Sequence, residues 1–300
     1  MTTPRVAYPV ADGVMQIDTL LGGWERVTAG YLIEGPPPVL VETGSQSSVG
    51  ALLAALAGIG VSADALSAVV VTHIHLDHAG GVGDVAAAFP EAEVYVHPLG
   101  ARHLADPSRL IDSAGRVYGD LLDSLYGRLD PTPAARIHAL DDGEAVGSLT
   151  AVHSPGHAKH HLALHDSMSG LLFVGDAVGV RLPDVGVLRP ATPPPDFDLD
   201  LALSSLRRFA DRSPSGLALA HFGVLPDPPA DVLAEAEDAL REWADVAERA
   251  WAAGADIDAA LAARFGEDHA QVAILNGIHS NAAGLRRWLE QRPTDSAARV

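Results

Sequence analysis

Apolar residues along the first two thirds of the chain fall into short runs of two periodicities. Residues 14–21, 27–34 and 39–42 are β-branched or alternate apolar with polar, and Gly-Gly and Pro-Pro-Pro punctuate them, so they predict a strand meander. Residues 48–57 place Val49, Leu52, Leu53 and Leu56 on one face before Gly58 and Gly60, which predicts a helix. Residues 66–72 lack polar alternation and predict a strand buried on both faces. A short helix over 81–89 and a strand over 93–97 follow. Asp106-Pro107 has the form of a helix start, and Val117, Leu121 and Leu125 recur every four residues, predicting one long helix over 106–126. Strands are predicted at 137–140, 149–153, 161–165, 171–174 and 216–220, with a helix at 199–212. The strand-rich blocks 14–97 and 137–221 could form two similar halves.

After Pro226-Asp227-Pro228-Pro229 the pattern changes. Residues 231–252, 257–265 and 269–291 are Ala-rich with helical spacing and no strand signal, so the chain divides into an α/β unit over 1–225 and a helical region over 226–300. The most apolar runs, 51–57 and 68–71, fall far short of the roughly 20 residues a membrane-crossing helix needs. The first ten residues lack the apolar stretch of a signal peptide, so a soluble cytoplasmic protein is expected.

Composition narrows the chemistry. There is no cysteine, which excludes disulfides, iron–sulfur clusters, thiolate metal ligands and a thiol nucleophile. With 39 Asp and Glu against 20 Lys and Arg, the net charge of −19 argues against nucleic acid as a partner. Histidine is the unusually frequent residue, with 14 in the chain. His73, His75, Asp77 and His78 crowd into one H-x-H-x-D-H run directly after a buried-type strand. Residues two apart project to one side on leaving a strand, so His73 and His75 can grip one ion. Asp77 and His78, on the following turn, can face a second. His157 sits on a Pro-Gly turn, Asp176 ends the apolar run 171–174 through Gly175, and His221 ends another. Imidazole and carboxylate suit zinc, iron or manganese.

These motifs (T-H-I-H-L-D-H-A-G-G, S-P-G-H, V-G-D-A and A-H-F-G, in that order) resemble the metallo-β-lactamase superfamily and, within it, the glyoxalase II-like hydrolases. The resemblance covers roughly 14–225 and implies an αββα sandwich with the metals at one edge of its two sheets. It implies one metal on His73, His75 and His157, a second on Asp77, His78 and His221, and Asp176 bridging them. Two divalent ions, zinc first with iron or manganese as alternatives, would activate a bridging hydroxide against a small ester or thioester, with Asp77 orienting it. No protein general acid stands out, and a thiolate leaving group would need none. The alternatives of the same fold are a persulfide dioxygenase with one iron on His73, His157 and Asp176, a lactonase or phosphodiesterase, and a non-catalytic binding protein.

The departures from the family pattern are informative. Glu42 stands in Val41-Glu42-Thr43-Gly44 where relatives carry aspartate, and can still support the ligand loop from behind. His75 replaces the glutamate of flavodiiron reductases, and no tyrosine follows Asp176 closely as in quorum-quenching lactonases.

Lys159, the only lysine, together with Arg181 and His279 are the candidates for binding substrate, each with a solvated side chain as the plainer reading. His161 is expected to serve a structural hydrogen bond and His160 to lie exposed or at the pocket rim. His138, His153 and His165 read as structural. Asn276, His279 and Asn281 either point into the pocket or mark a helix break at Gly277. Tyr118 and Tyr126 read as packing or as part of a homodimer face.

Overall fold

The computed structural model describes residues 6–266 and 270–292. The N-terminal residues Met1 to Arg5 and the expected helix start at His269 lie outside the described residues.

Seven strands form the first sheet, side by side in chain order: β1 (Ala7–Ala11), β2 (Val14–Asp18), β3 (Ala29–Ile33), β4 (Val39–Val41), β5 (Ala68–Val70), β6 (Glu93–Val96) and β7 (Ile137–Ala139). Strands β1 to β4 pair antiparallel, as the turn signals require, and β4 to β7 pair parallel. Parallel neighbours need crossovers. These are α1 (Val49–Gly58), then α2 (Leu76–Ala79) with α3 (Val82–Ala88), then α4 (Pro98–Ala105), α5 (Ser108–Tyr118) and α6 (Leu121–Leu125). The second sheet holds β8 (Ala145–Val146), β9 (Leu149–His153), β10 (Leu162–Asp166), β11 (Leu171–Gly175), β12 (Gly216–Leu219) and β13 (Gly223–Val224), again in chain order. Its one parallel pair, β11 with β12, is joined through α7 (Leu199–Asp211). The chain continues into α8 (Pro229–Ala252), α9 (Ile257–Phe265), α10 (Ala270–Asn276) and α11 (Ile278–Gln291).

The period-two alternation decides which layer each side chain enters. Val39, Val41, Ala68 and Val70 face the second sheet, while Leu40 and Val69 face α1 and α3. In the second sheet Leu162, Leu164 and Phe173 point to the inter-sheet core, and Ala163, Leu172 and Val174 point outward. There they share a core with α7 and with Leu240, Trp243, Ala247, Leu261 and Leu285 of the C-terminal helices. Each large side chain buried in this way is worth about 1.5–3 kcal/mol. The result is the αββα sandwich with helices appended at the C-terminus.

The two sheets are also stitched by hydrogen bonds at one end. Ala29 N donates to Ala220 O at 2.8 Å, Tyr31 Oη to Leu219 O at 2.6 Å, and Val224 N to the Gln16 side chain at 3.1 Å.

Several elements differ from expectation. The helix expected over 106–126 is broken: α5 starts at Ser108, one residue later than the Pro107 start, with Asp106 Oδ1 accepting from Ser108 N at 3.2 Å. It ends at Gly119, whose φ of 53° and ψ of −129° no right-handed helix contains, so α6 sets off anew. The apolar recurrence of Val117, Leu121 and Leu125 spans this break without detecting it. Helix α4 went unread because Gly100 and Pro98 weaken its pattern, and the His97 ring caps it by accepting from Leu99 N. The last expected helix divides at Gly277 into α10 and α11. Strand β7 joins the first sheet, so the second strand-rich block is not a self-contained half. Strand β1 contains Pro9, which its position at the sheet edge tolerates.

Candidate metal centre

Four connections at one end of the sandwich supply the ligand-type residues. The chain leaves β5 through Thr72 and His73. His75 then occupies the N-cap position of α2, so Asp77 and His78 fall in the single turn of that helix. His157 comes from the β9–β10 connection, where Gly156 (φ 137°) packs so tightly on α7 that a Cβ would lie 2.4 Å from Ala202 Cα. Asp176 follows β11, after Gly175 (φ 48°), where a Cβ would meet His161 Nε2 at 2.5 Å and Thr72 Oγ1 at 2.6 Å. His221 lies two residues beyond the end of β12.

All seven predicted residues converge. His73, His75 and His157 form one group whose ligand atoms lie within 4.8 Å of one another, and Asp77, His78 and His221 form a second. In the first, His75 Nδ1 lies 2.9 Å from His73 Nε2 and 3.0 Å from His157 Nε2. In the second, His221 Nε2 is 3.4 Å and His78 Nε2 is 3.7 Å from Asp77 Oδ2. Asp176 stands between them: Oδ2 is 3.6 Å from His157 Nε2, and Oδ1 is 3.4 Å from His78 and 3.5 Å from His221.

Supporting contacts fix each ring. Thr72 Oγ1 meets His73 Nδ1 at 2.9 Å, Ala191 O meets His157 Nδ1 at 3.0 Å, and Val27 O meets His221 Nδ1 at 2.9 Å. Glu42 takes the supporting role expected of it: Oε2 lies 3.2 Å from His78 Nδ1, and Oε1 accepts from Thr72 N at 2.9 Å. His161 likewise fits its structural reading, binding Ser154 Oγ at 2.8 Å and accepting from Asp176 N at 3.2 Å. Such contacts set the tautomer and aim of a metal-binding imidazole.

The electrostatics separate into two sets. Burial, then the surrounding imidazoles, hold His73 well below the usual range, and burial followed by His157 lowers His75 to about 4. Burial lowers His157 too, against the pull of Asp176. These three are neutral donors. Burial pushes Asp77 and Asp176 upward, but His78 and His221 outweigh it and both carboxyls lie below their ordinary value. Burial alone would lower His78 and His221, yet Asp176 and Asp77 raise both. A divalent cation fits this donor set. His78 Nε2 and Asp176 Oδ1 are buried without hydrogen-bond partners and face each other at 3.4 Å, a pair of orphaned polar atoms that a cation between them would satisfy. Nitrogen and oxygen ligands without sulfur suit zinc, manganese or iron.

The three substrate-binding candidates are engaged elsewhere. Lys159 is exposed and pairs with Asp196 at 2.9 Å. The Arg181 guanidinium binds Asp227 at 2.8 Å, and its backbone N donates to His221 O. His279 is exposed and meets Asp258 at 2.7 Å. Asn276 and Asn281 brace the segment that carries Ala191 rather than opening onto the cluster. Asn276 donates to Pro190 O, and Asn281 Oδ1 accepts from Thr192 N at 2.6 Å. Tyr118 and Tyr126 do pack together, with ring centroids 4.7 Å apart beside Leu76. Burial raises both phenols, and the Asp77 charge adds to this, so the pair lies within electrostatic reach of the cluster. The carbonyls of Val27 and Ala191 went unread in the sequence, because a backbone acceptor carries no residue signature.

Comparison with known proteins agrees with this geometry. The metallo-beta-lactamase fold-containing protein ST1585 of Sulfurisphaera tokodaii is 29% identical over 170 residues, covering 54% of this chain and 62% of that protein. A hydroxyacylglutathione hydrolase of Aeromonas hydrophila is 32% identical over 117 residues, 38% of this chain and 34% of that enzyme's length. The crystal structure of ST1585 superposes with a TM-score of 0.64 at 25% identity, covering 78% of this chain and 87% of that one. TTHA1623, solved in a di-iron-bound form, gives 0.54 at 26% identity over 73% of this chain and 93% of that one. Residues 22–221 match the metallo-beta-lactamase superfamily from the β2–β3 connection to the last candidate ligand, and the chain belongs to that superfamily.

Proposed function

We propose that this superfamily hydrolase works with two divalent cations, zinc in the first instance, and cleaves a small ester or thioester. The observation that carries the reading is the position of Asp176, one carboxylate oxygen towards His157 and the other towards His78 and His221. His73, His75 and His157 would hold one cation, Asp77, His78 and His221 the other, and Asp176 both. Cations in such a site supply Lewis acidity, lowering the pKa of water and stabilising negative charge that develops on a carbonyl oxygen. The protein's own part is to present neutral imidazoles and ionised carboxylates at fixed spacing. Asp77, with its side chain 15% exposed, is the carboxylate open enough to accept a hydrogen bond from the attacking water. The relative that acts as a hydroxyacylglutathione hydrolase supports a thioester, for which the leaving thiolate needs little help.

Metal analysis of purified protein combined with a panel of thioesters, oxygen esters, lactones and phosphodiesters tests this. Two zinc ions per chain with ester or thioester turnover is the expected result. One iron per chain with sulfur-dependent oxygen uptake would replace the hydrolase with a persulfide dioxygenase.

A further inference from the structure

His160 is the histidine that the metal centre leaves unexplained. It lies three residues after His157, in the connection between β9 and β10. The sequence places it in the open or at the rim. In the structure it is half-buried, its ring 6.1 Å from that of His75 at 87°, and 6.2 Å from that of His73. Its Nδ1 is buried without a hydrogen-bond partner. His157 and His161, on the same turn, have both ring nitrogens engaged.

The groups around His160 do not relieve it. Asp196 is taken by Lys159, the His97 ring stacks on His153 at 4.7 Å, and His103 Nε2 accepts from Arg102. A buried polar nitrogen without a partner is costly and calls for a ligand or a function. Location suggests which. Of the seven ligand-type residues only His75 and Asp77 are not fully buried, so the cluster opens on their side, and His160 flanks His75 there.

We propose that His160 is a catalytic residue that hydrogen-bonds the leaving-group atom of the substrate, an inference that rests on the hydrolase reading. In the reaction the water oxygen bonds to the acyl carbon and the bond from that carbon to the leaving heteroatom breaks. The electron pair stays on the heteroatom, which departs with one proton from the water. The His160 N–H stabilises the charge on that atom as the bond breaks. An alkoxide concentrates its charge on a small oxygen and depends on such a donor, whereas a thiolate spreads it over sulfur and depends on it little.

The experiment compares zinc-loaded wild type, His160→Leu and His160→Asn on ethyl butyrate and on S-ethyl thiobutyrate. His160→Leu should lower kcat on the oxygen ester by about 10- to 100-fold, with less than about threefold loss on the thioester and little change in KM. His160→Asn keeps an N–H donor and should recover much of the oxygen-ester rate. Zinc content should stay at the wild-type level in both variants. Independently of turnover, the His160 imidazole ¹⁵N resonances should shift when ethyl butylphosphonate is added. An unchanged ester-to-thioester ratio in His160→Leu, or resonances that ignore the phosphonate, would overturn the role of His160 alone. A wild type that turns over neither ester removes the hydrolase reading and this proposal together.

Discussion

At the scale of single residues, the spacing of H-x-H-x-D-H carries most of the information, because a strand exit followed by one helical turn fixes four side chains within six positions. His75 is the instructive member: its Nδ1 lies against both His73 and His157, so it closes the first group. His75→Ala should reduce bound metal and abolish turnover while leaving the circular dichroism spectrum and fold intact. Full metal occupancy with retained activity would reject the assignment. Glu42 acts from behind, bridging His78 to the Thr72 amide. Glu42→Ala should weaken metal affinity about 10- to 100-fold, measured by competition with a chelator. The sequence exposes such side chains because they are unusual residues in a recognisable place. It hides the carbonyls of Val27 and Ala191, which do the same work with atoms that every residue possesses.

At the scale of elements, the strands were legible because their alternation is dictated by two buried layers on opposite faces, as Val39, Leu40 and Val41 illustrate. Helix ends were less so. An apolar residue every four positions continues across Gly119 although the backbone turns sharply there, and of Val117, Leu121 and Leu125 only the last is buried, so the spacing reports neither one axis nor one buried face. The polar interruptions of the C-terminal helices belong to the same lesson. Asn281 is buried, accepts from Thr192 N and Oγ1, and donates to Asn276 and to Gly277 O. It thereby ties α10 and α11 to the segment whose Ala191 carbonyl aims His157. Asn281→Ala leaves the Thr192 amide without its partner and should destabilise the protein by about 1–3 kcal/mol in urea titrations. Metal affinity should fall with it; an unchanged affinity would separate the helices from the centre.

At the scale of the whole molecule, the concentration of buried histidine makes stability a function of pH. His73, His75, His157, His160 and His161 are held below the ordinary imidazole value of 6.5 by burial first, with neighbouring imidazoles adding to it at all but His157, where Asp176 opposes it. Each binds a proton in the unfolded chain that it refuses when folded. Their contribution is therefore complete above pH 6.5 and is lost as pH falls towards the folded values, about 4 for His75 and about 3 for His160. His78 and His221 are raised, so theirs is complete below 6.5 and disappears as pH rises through their folded values. Asp77 and Asp176, held below 3.8, keep theirs until pH falls past that point. Metal-free protein should lose stability as pH drops from 6.5 to about 4, by about 1.4 kcal/mol per pH unit for each histidine that titrates only when unfolded. Urea midpoints across this range supply the check, and a flat or rising profile would contradict it.

The stitching between the sheets has a consequence in time as well as in space. Connecting segments ordinarily open and close faster than the strands they join. Here the loop amides of Thr43, Thr72, Asp176 and Arg181 join the strand amide of Ala29 in donating within or beside the candidate centre, three of them to the backbones or side chains of His78, His161 and His221. A solvent deuteron replaces each of those protons only when its bond opens, so these amides should exchange nearer the rate of the core strands than that of ordinary loops, which hydrogen–deuterium exchange measures.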